Sequence, residues 1–177
     1  MTRKAFRLAA TLALLSTSQL QAATPAPARP CMTPAELHGM VAYMLPSAMS
    51  TLIDRCRPAL PAGASLLVHG GQLVTEFEAG RAAAFPLARR AFAKFSDIGD
   101  KNTTAIMLTM PEVTLRPIVD ETLSNKFVGS IAVKDCADID RIFSTLEPLP
   151  AGNIIDLITQ VVVIGARGDK KMTVCPA

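Results

Sequence analysis

Two histidines, four cysteines and scattered carboxylates are the residues here whose types can do chemistry. Nucleophilic catalysis needs a serine or cysteine beside a base, and the only neutral bases on offer are His38 and His69. No Gly-x-Ser-x-Gly elbow is present. His38 flanks an apolar helical stripe and His69 sits against Gly70-Gly71, so both read as surface histidines. Cys31, Cys56, Cys136 and Cys175 lie 25, 80 and 39 residues apart, with no Cys-x-x-Cys pair and no nearby histidine to complete a zinc site. An even set spaced this widely, in a chain addressed for export, reads as two disulfides. No catalytic residue, metal ligand or cofactor contact is assigned.

The remaining constellations are weaker. Glu76 and Glu78 diverge on a helix and would not flank one bond. Asp97, Asp100 and Asn102 depart from the spacing of a calcium loop and lack its closing glutamate. Arg167-Gly168-Asp169 is a three-residue adhesion tripeptide that also fits ordinary turn chemistry. Met32, Met40, Met44 and Met49 near His38 suit a soft metal in ligand type, but two of them share the core stripe, where methionine fills gaps. Arg81, Arg89, Arg90 and Lys94 spread around a helix axis and read as a solvated face.

The address is written in the first residues. Arg3, Lys4 and Arg7 form a positive start, Leu8 to Leu15 an apolar core too short to span a bilayer, and Leu20-Gln21-Ala22 a cleavage site after Ala22. Thr2 to Leu8 resembles a twin-arginine export signal with Lys4 in place of the second arginine. Removing residues 1–22 takes three of the 18 basic residues and none of the 15 acidic ones, leaving no net charge. That balance argues against nucleic-acid binding, which rests on phosphate neutralisation. The expected product is periplasmic or secreted, with no integral membrane segment.

The elements that must carry these residues begin after a proline–alanine spacer, 23–30. Thr33-Pro34-Ala35-Glu36 has the composition of a capping box with proline at the first helical position. Leu37, Met40, Val41, Met44, Leu45, Ala48, Leu52 and Cys56 then hold one helical stripe through Pro46, predicting a kinked but continuous helix to about Arg57. Ser65 to Ala79 reads as a helix weakened by its glycines, Phe85 to Phe95 as another, and Thr114 as the cap of a further one. Asp135 to Leu146 is half apolar. Asn153 to Ile164 is apolar nearly all round and is expected at the centre of the bundle. The alternative for Val161 to Ile164 is a strand of a small C-terminal β-hairpin.

A continuous first helix separates Cys31 from Cys56 by about 37 Å, far beyond the roughly 7 Å a disulfide spans. Cys56 must then find Cys136 or Cys175, and the expected pairs are Cys56 with Cys136, both at helix ends, and Cys31 with Cys175, which a flexible tail after Gly165 can bring across the bundle. The reading is an all-α compact bundle of five to seven short helices with two disulfides, one domain over 31–177. Its expected role is non-enzymatic: an exported helical interaction module for an unidentified protein. The alternatives are a carrier of an apolar ligand or lipid, and a hydrolase using His38 or His69.

Overall fold

Thr33 opens the first helix as its residue types require. Its backbone N–H donates to the Glu36 carboxylate at 2.8 Å, and the Glu36 N–H donates back to its hydroxyl at 3.2 Å. In the computed structural model, which describes residues 31–95, 105–106, 108–166 and 174–175, helix α1 then runs unbroken over Pro34–Cys56. A 3-10 turn, Arg57–Ala59, leads to α2, Ser65–Phe95. The two pack antiparallel: Gly39 of α1 lies against Ala84, Leu87 and Ala88 of α2, and Ile53 lies against Gly70. This hairpin is the frame for everything else.

Helix α2 joins two segments expected to be separate, because the breakers between and within them do not act. Pro86 is exposed, and so is Ala82, whose carbonyl the proline leaves unbonded, so water can satisfy it. Gly70 is buried where Ile53 would collide with a larger residue, so its helical cost is offset by close packing. Pro46 differs. Both it and Ala42, four residues earlier, are buried, so the interrupted hydrogen bond faces the interior of the hairpin.

Three more helices pack on this frame: α3, Glu112–Phe127, against α1; α4, Cys136–Leu146, against α2; and α5, Ala151–Gly165, mainly against α1. Helix α3 starts at Glu112, two residues before the expected cap at Thr114, because the Pro111 carbonyl already accepts from the Thr114 and Leu115 N–H groups. Val161 to Ile164 is helical, and the described residues contain five α-helices and a single isolated bridge between Met32 and Val174. The disulfides are Cys31–Cys175 and Cys56–Cys136, with Cα separations of 5.0 and 5.5 Å. The expected export signal and spacer, the candidate calcium ligands Asp97, Asp100 and Asn102, and the Arg167–Asp169 tripeptide lie outside the described residues.

The core divides in two along the hairpin. A first cluster gathers Met32, Leu37, Met40, Tyr43, Phe85, Ala88, Ala91, Phe92 and Leu115. A second gathers Ile53, Cys56, Leu66, Leu73, Phe77, Cys136, Phe143 and Ile154. Helix α5 touches both, through Ile155 and Ile158 at one end and Val162 and Val163 at the other. It does not occupy the centre, since α1 and α2 already fill each other's apolar faces. It lies across them and meets protein on one side only.

Candidate functional site

Between the two clusters the apolar stripe of α2 is interrupted by a charge. Arg81 follows Phe77 by four residues and precedes Phe85 by four, so it points where they point, and its side chain is only 5% exposed. It is no part of a solvated face. Its guanidinium lies 4.6 Å from the centroid of the Tyr43 ring and pairs with Asp120 of α3 and, at 3.3 Å, with Glu78. Arg116 of α3 closes the network, pairing with Glu78 and lying 3.9 Å from Asp120. Tyr43 is fully buried, its hydroxyl has no partner among the described residues, and burial pushes its pKa above the ordinary 10.0, so it stays neutral.

Over this layer opens a cleft of about 470 Å³ beside Pro46, lined by Ser47, Ser50, Thr51 and Val74 with Glu78, Arg81, Asp120 and Glu121. Its cation is already neutralised, and four of its lining side chains carry charge. Such walls suit water or a small polar solute, and they offer an apolar ligand or lipid little to bind. Among the described residues, no group of three or more histidine, cysteine and carboxylate side chains could hold a metal.

Both histidines tie the hairpin to the C-terminal helices. His38 Nε2 lies 3.1 Å from Asp156 on α5, and His69 Nδ1 lies 3.4 Å from Glu147 at the end of α4. The second contact includes a serine, since the Ser65 hydroxyl donates to Glu147 at 2.6 Å. The order is wrong for a relay. In a nucleophilic triad the histidine stands between acid and hydroxyl to take the proton, whereas here the carboxylate stands between the other two. Glu147 and Asp140, which accepts from the Leu66 N–H at 2.7 Å, instead satisfy the start of α2.

The outer side of α5 is the remaining feature. Leu157, Val161 and Ile164 recur at helical spacing and are 44, 60 and 60% exposed, a ridge of three aliphatic side chains in the middle and last turns. The one charged residue of the helix, Asp156, is engaged with His38. No protein-family model, curated protein or solved structure matches this chain. The arrangement of side chains is therefore the whole basis for a functional reading.

Most residues singled out in the sequence lie within the described part. All four cysteines are paired. Met32, Met40 and Met44 fill the first cluster and Met49 packs on the second, so the methionines do not converge. Glu76 accepts from Gln72 at 3.2 Å while Glu78 joins the Arg81 network, so the two diverge. Lys94 and Arg90 turn toward Glu36, at 2.6 and 3.7 Å. Sequence reasoning missed the burial of Arg81 by weighting residue type over its place on the stripe. It missed the α5 ridge by taking all-round apolarity for centrality.

Proposed function

We propose that the mature domain is an exported interaction module that docks through the α5 ridge onto the apolar stripe of a helix in a partner protein. The supporting observation is the exposure of Leu157, Val161 and Ile164 on a helix already packed by its other side. Apolar residues at i, i+4 and i+7 are the pattern by which one helix is read by another. Helix α5 carries no basic residue to meet anionic headgroups, which argues against a lipid surface as occupant. Two disulfides suit an oxidising compartment, and no helix among the described residues is long and apolar enough to cross a membrane.

Placing a photoreactive aromatic amino acid at Val161 in the producing cell tests this reading. The expected product is an adduct with one protein, lost when Ile164→Asp is added, with the contact mapping to an apolar helix face of that protein. A label at exposed Gln72 on α2 serves as the control and should give no such adduct. Adducts with lipid, adducts between two copies of this chain, or equal adducts from both labels would each overturn the proposal. N-terminal sequencing of the exported form should begin at Ala23, and a retained Met1 would remove the export.

A further inference from the structure

We infer that Cys31–Cys175 is a redox-operated clasp, opened by a dithiol reductant while Cys56–Cys136 stays closed. The two bridges sit in unlike surroundings. Cys56 is the last residue of α1 and Cys136 the first of α4, and both are wholly buried among Leu66, Phe77, Phe143 and Ile154. Cys31 and Cys175 are only partly buried, and neither belongs to a helix. Beside the disulfide, their strip of chain is held by the Met32–Val174 bridge, with the Cys175 N–H donating to the Met32 carbonyl at 2.9 Å, and by the packing of Val174 on the first cluster.

Access decides the order of reduction. A thiolate must approach a disulfide sulfur directly, so a buried bridge reacts only after local opening. Reaching Cys56–Cys136 means detaching α4, which is held by Phe143 in the second cluster and by Asp140 and Glu147 at the start of α2. Among the described residues, reaching Cys31–Cys175 displaces one hydrogen bond and one valine. The reductant thiolate attacks one cysteine sulfur to form a mixed disulfide, and its second thiol then releases that cysteine. Two electrons and two protons pass to Cys31 and Cys175, and the reductant leaves as its own disulfide.

Opening has a defined consequence. Val174 withdraws from the first cluster and uncovers Met32, which is otherwise 2% exposed, beside Leu37 and Met40. The helices stay in place, because the Glu36–Lys94 contact, the α1–α2 packing and the inner bridge do not depend on the strip. This device is independent of whether α5 is docked.

The test treats the folded, oxidised chain with graded dithiothreitol and then with a thioredoxin-type dithiol protein, followed by alkylation and peptide mapping. Cys31 and Cys175 should be labelled together, at least about tenfold faster than Cys56 and Cys136. Helicity should not change, and the rise in amide exchange should be confined to the start of α1. Joint reduction of both bridges, earlier reduction of the inner one, or loss of helicity with the outer one would overturn the inference. A Cys31→Ala, Cys175→Ala variant should remain helical with Cys56–Cys136 oxidised. If that variant does not fold, the outer bridge is a structural staple and the inference falls.

Discussion

Where α1 begins and α2 ends, the first cluster takes Leu115 of α3 and Val162 and Val163 of α5, and a capping box, an ion pair and a strip carrying Val174 complete its closure. Where α1 ends and α2 begins, the second is closed by two helices, α4 and α5, whose side chains complete the core. Closing with helices spreads the stabilisation over apolar area, which neither a proton nor a thiol can remove. Closing with a strip concentrates it in a few bonds that can be broken one at a time. The difference is that the second end gains a buried disulfide and two whole helices, whereas the first is completed by a partly buried disulfide and a short strip.

Removing each disulfide in turn breaks the comparison most directly. By chain entropy alone the two are alike, because the outer separation of 144 residues falls by the 80 already closed once the inner bridge has formed. Each is then worth about 4–5 kcal/mol. The asymmetry comes from burial, since Cys56→Ala with Cys136→Ala also leaves a void in a packed cluster, costing on the order of a further 1–2 kcal/mol. Denaturant unfolding should show the inner double variant to be the less stable of the two. Equal losses would mean that the second end is no better packed than the first.

The helix crossing supplies a gentler comparison, because each end has one glycine at the point of contact. An added Cβ at Gly39 would overlap the Leu87 Cβ and crowd the Ala84 carbonyl, atoms that cannot move without the α2 backbone. Gly39→Ala should therefore destabilise by roughly 2 kcal/mol, even after a helix-propensity gain of about 1 kcal/mol. At Gly70 the obstacle is the Ile53 Cδ1 at 2.8 Å, the far end of a flexible side chain. Gly70→Ala should come out within about 0.5 kcal/mol of neutral, as rearrangement and propensity offset one another. Exposed Gly71, with open space around it, should gain about 0.5–1 kcal/mol as alanine. Thermal melts of the three variants check the ranking, and a neutral Gly39→Ala would deny the close approach.

Much of this frame was legible in residue order. The start of α1 could be read because a capping box is local, four residues satisfying one another. Helix rise is fixed, so an unbroken stripe through Pro46 forbids Cys31 from meeting Cys56, and placing Cys56 and Cys136 at helix ends selected the pairing observed. What could not be read depends on partners distant in sequence. The continuity of α2 past Gly70 and Pro86 rests on Ile53 filling one site and on solvent reaching the other. Its start is satisfied by Asp140 and Glu147, more than 70 residues away, and no local pattern announces them. The α5 ridge was hidden for a different reason: apolar composition says that a surface avoids water, not which contact removes it.

The pH-dependent comparison belongs to Glu36, at the end closed by the strip. Burial pushes its carboxyl pKa up, but hydrogen bonds from Lys94 and Thr33 outweigh that, and the net shift is downward from the ordinary 4.5. A carboxyl that ionises at lower pH in the folded chain than in the unfolded one stabilises the fold fully above the unfolded value. That contribution is lost as pH falls through the folded value. Glu36→Gln removes the charge while keeping an acceptor for the Thr33 N–H, and should cost about 1 kcal/mol at neutral pH. Urea unfolding as a function of pH should then give two curves separated by a constant amount from pH 7 down to about 5. Below about 4.5 the native chain should lose stability faster than the variant, and the curves should converge. Curves that stay parallel into strong acid would show that the Glu36 charge does not hold this end, leaving its closure to Val174 and the outer disulfide.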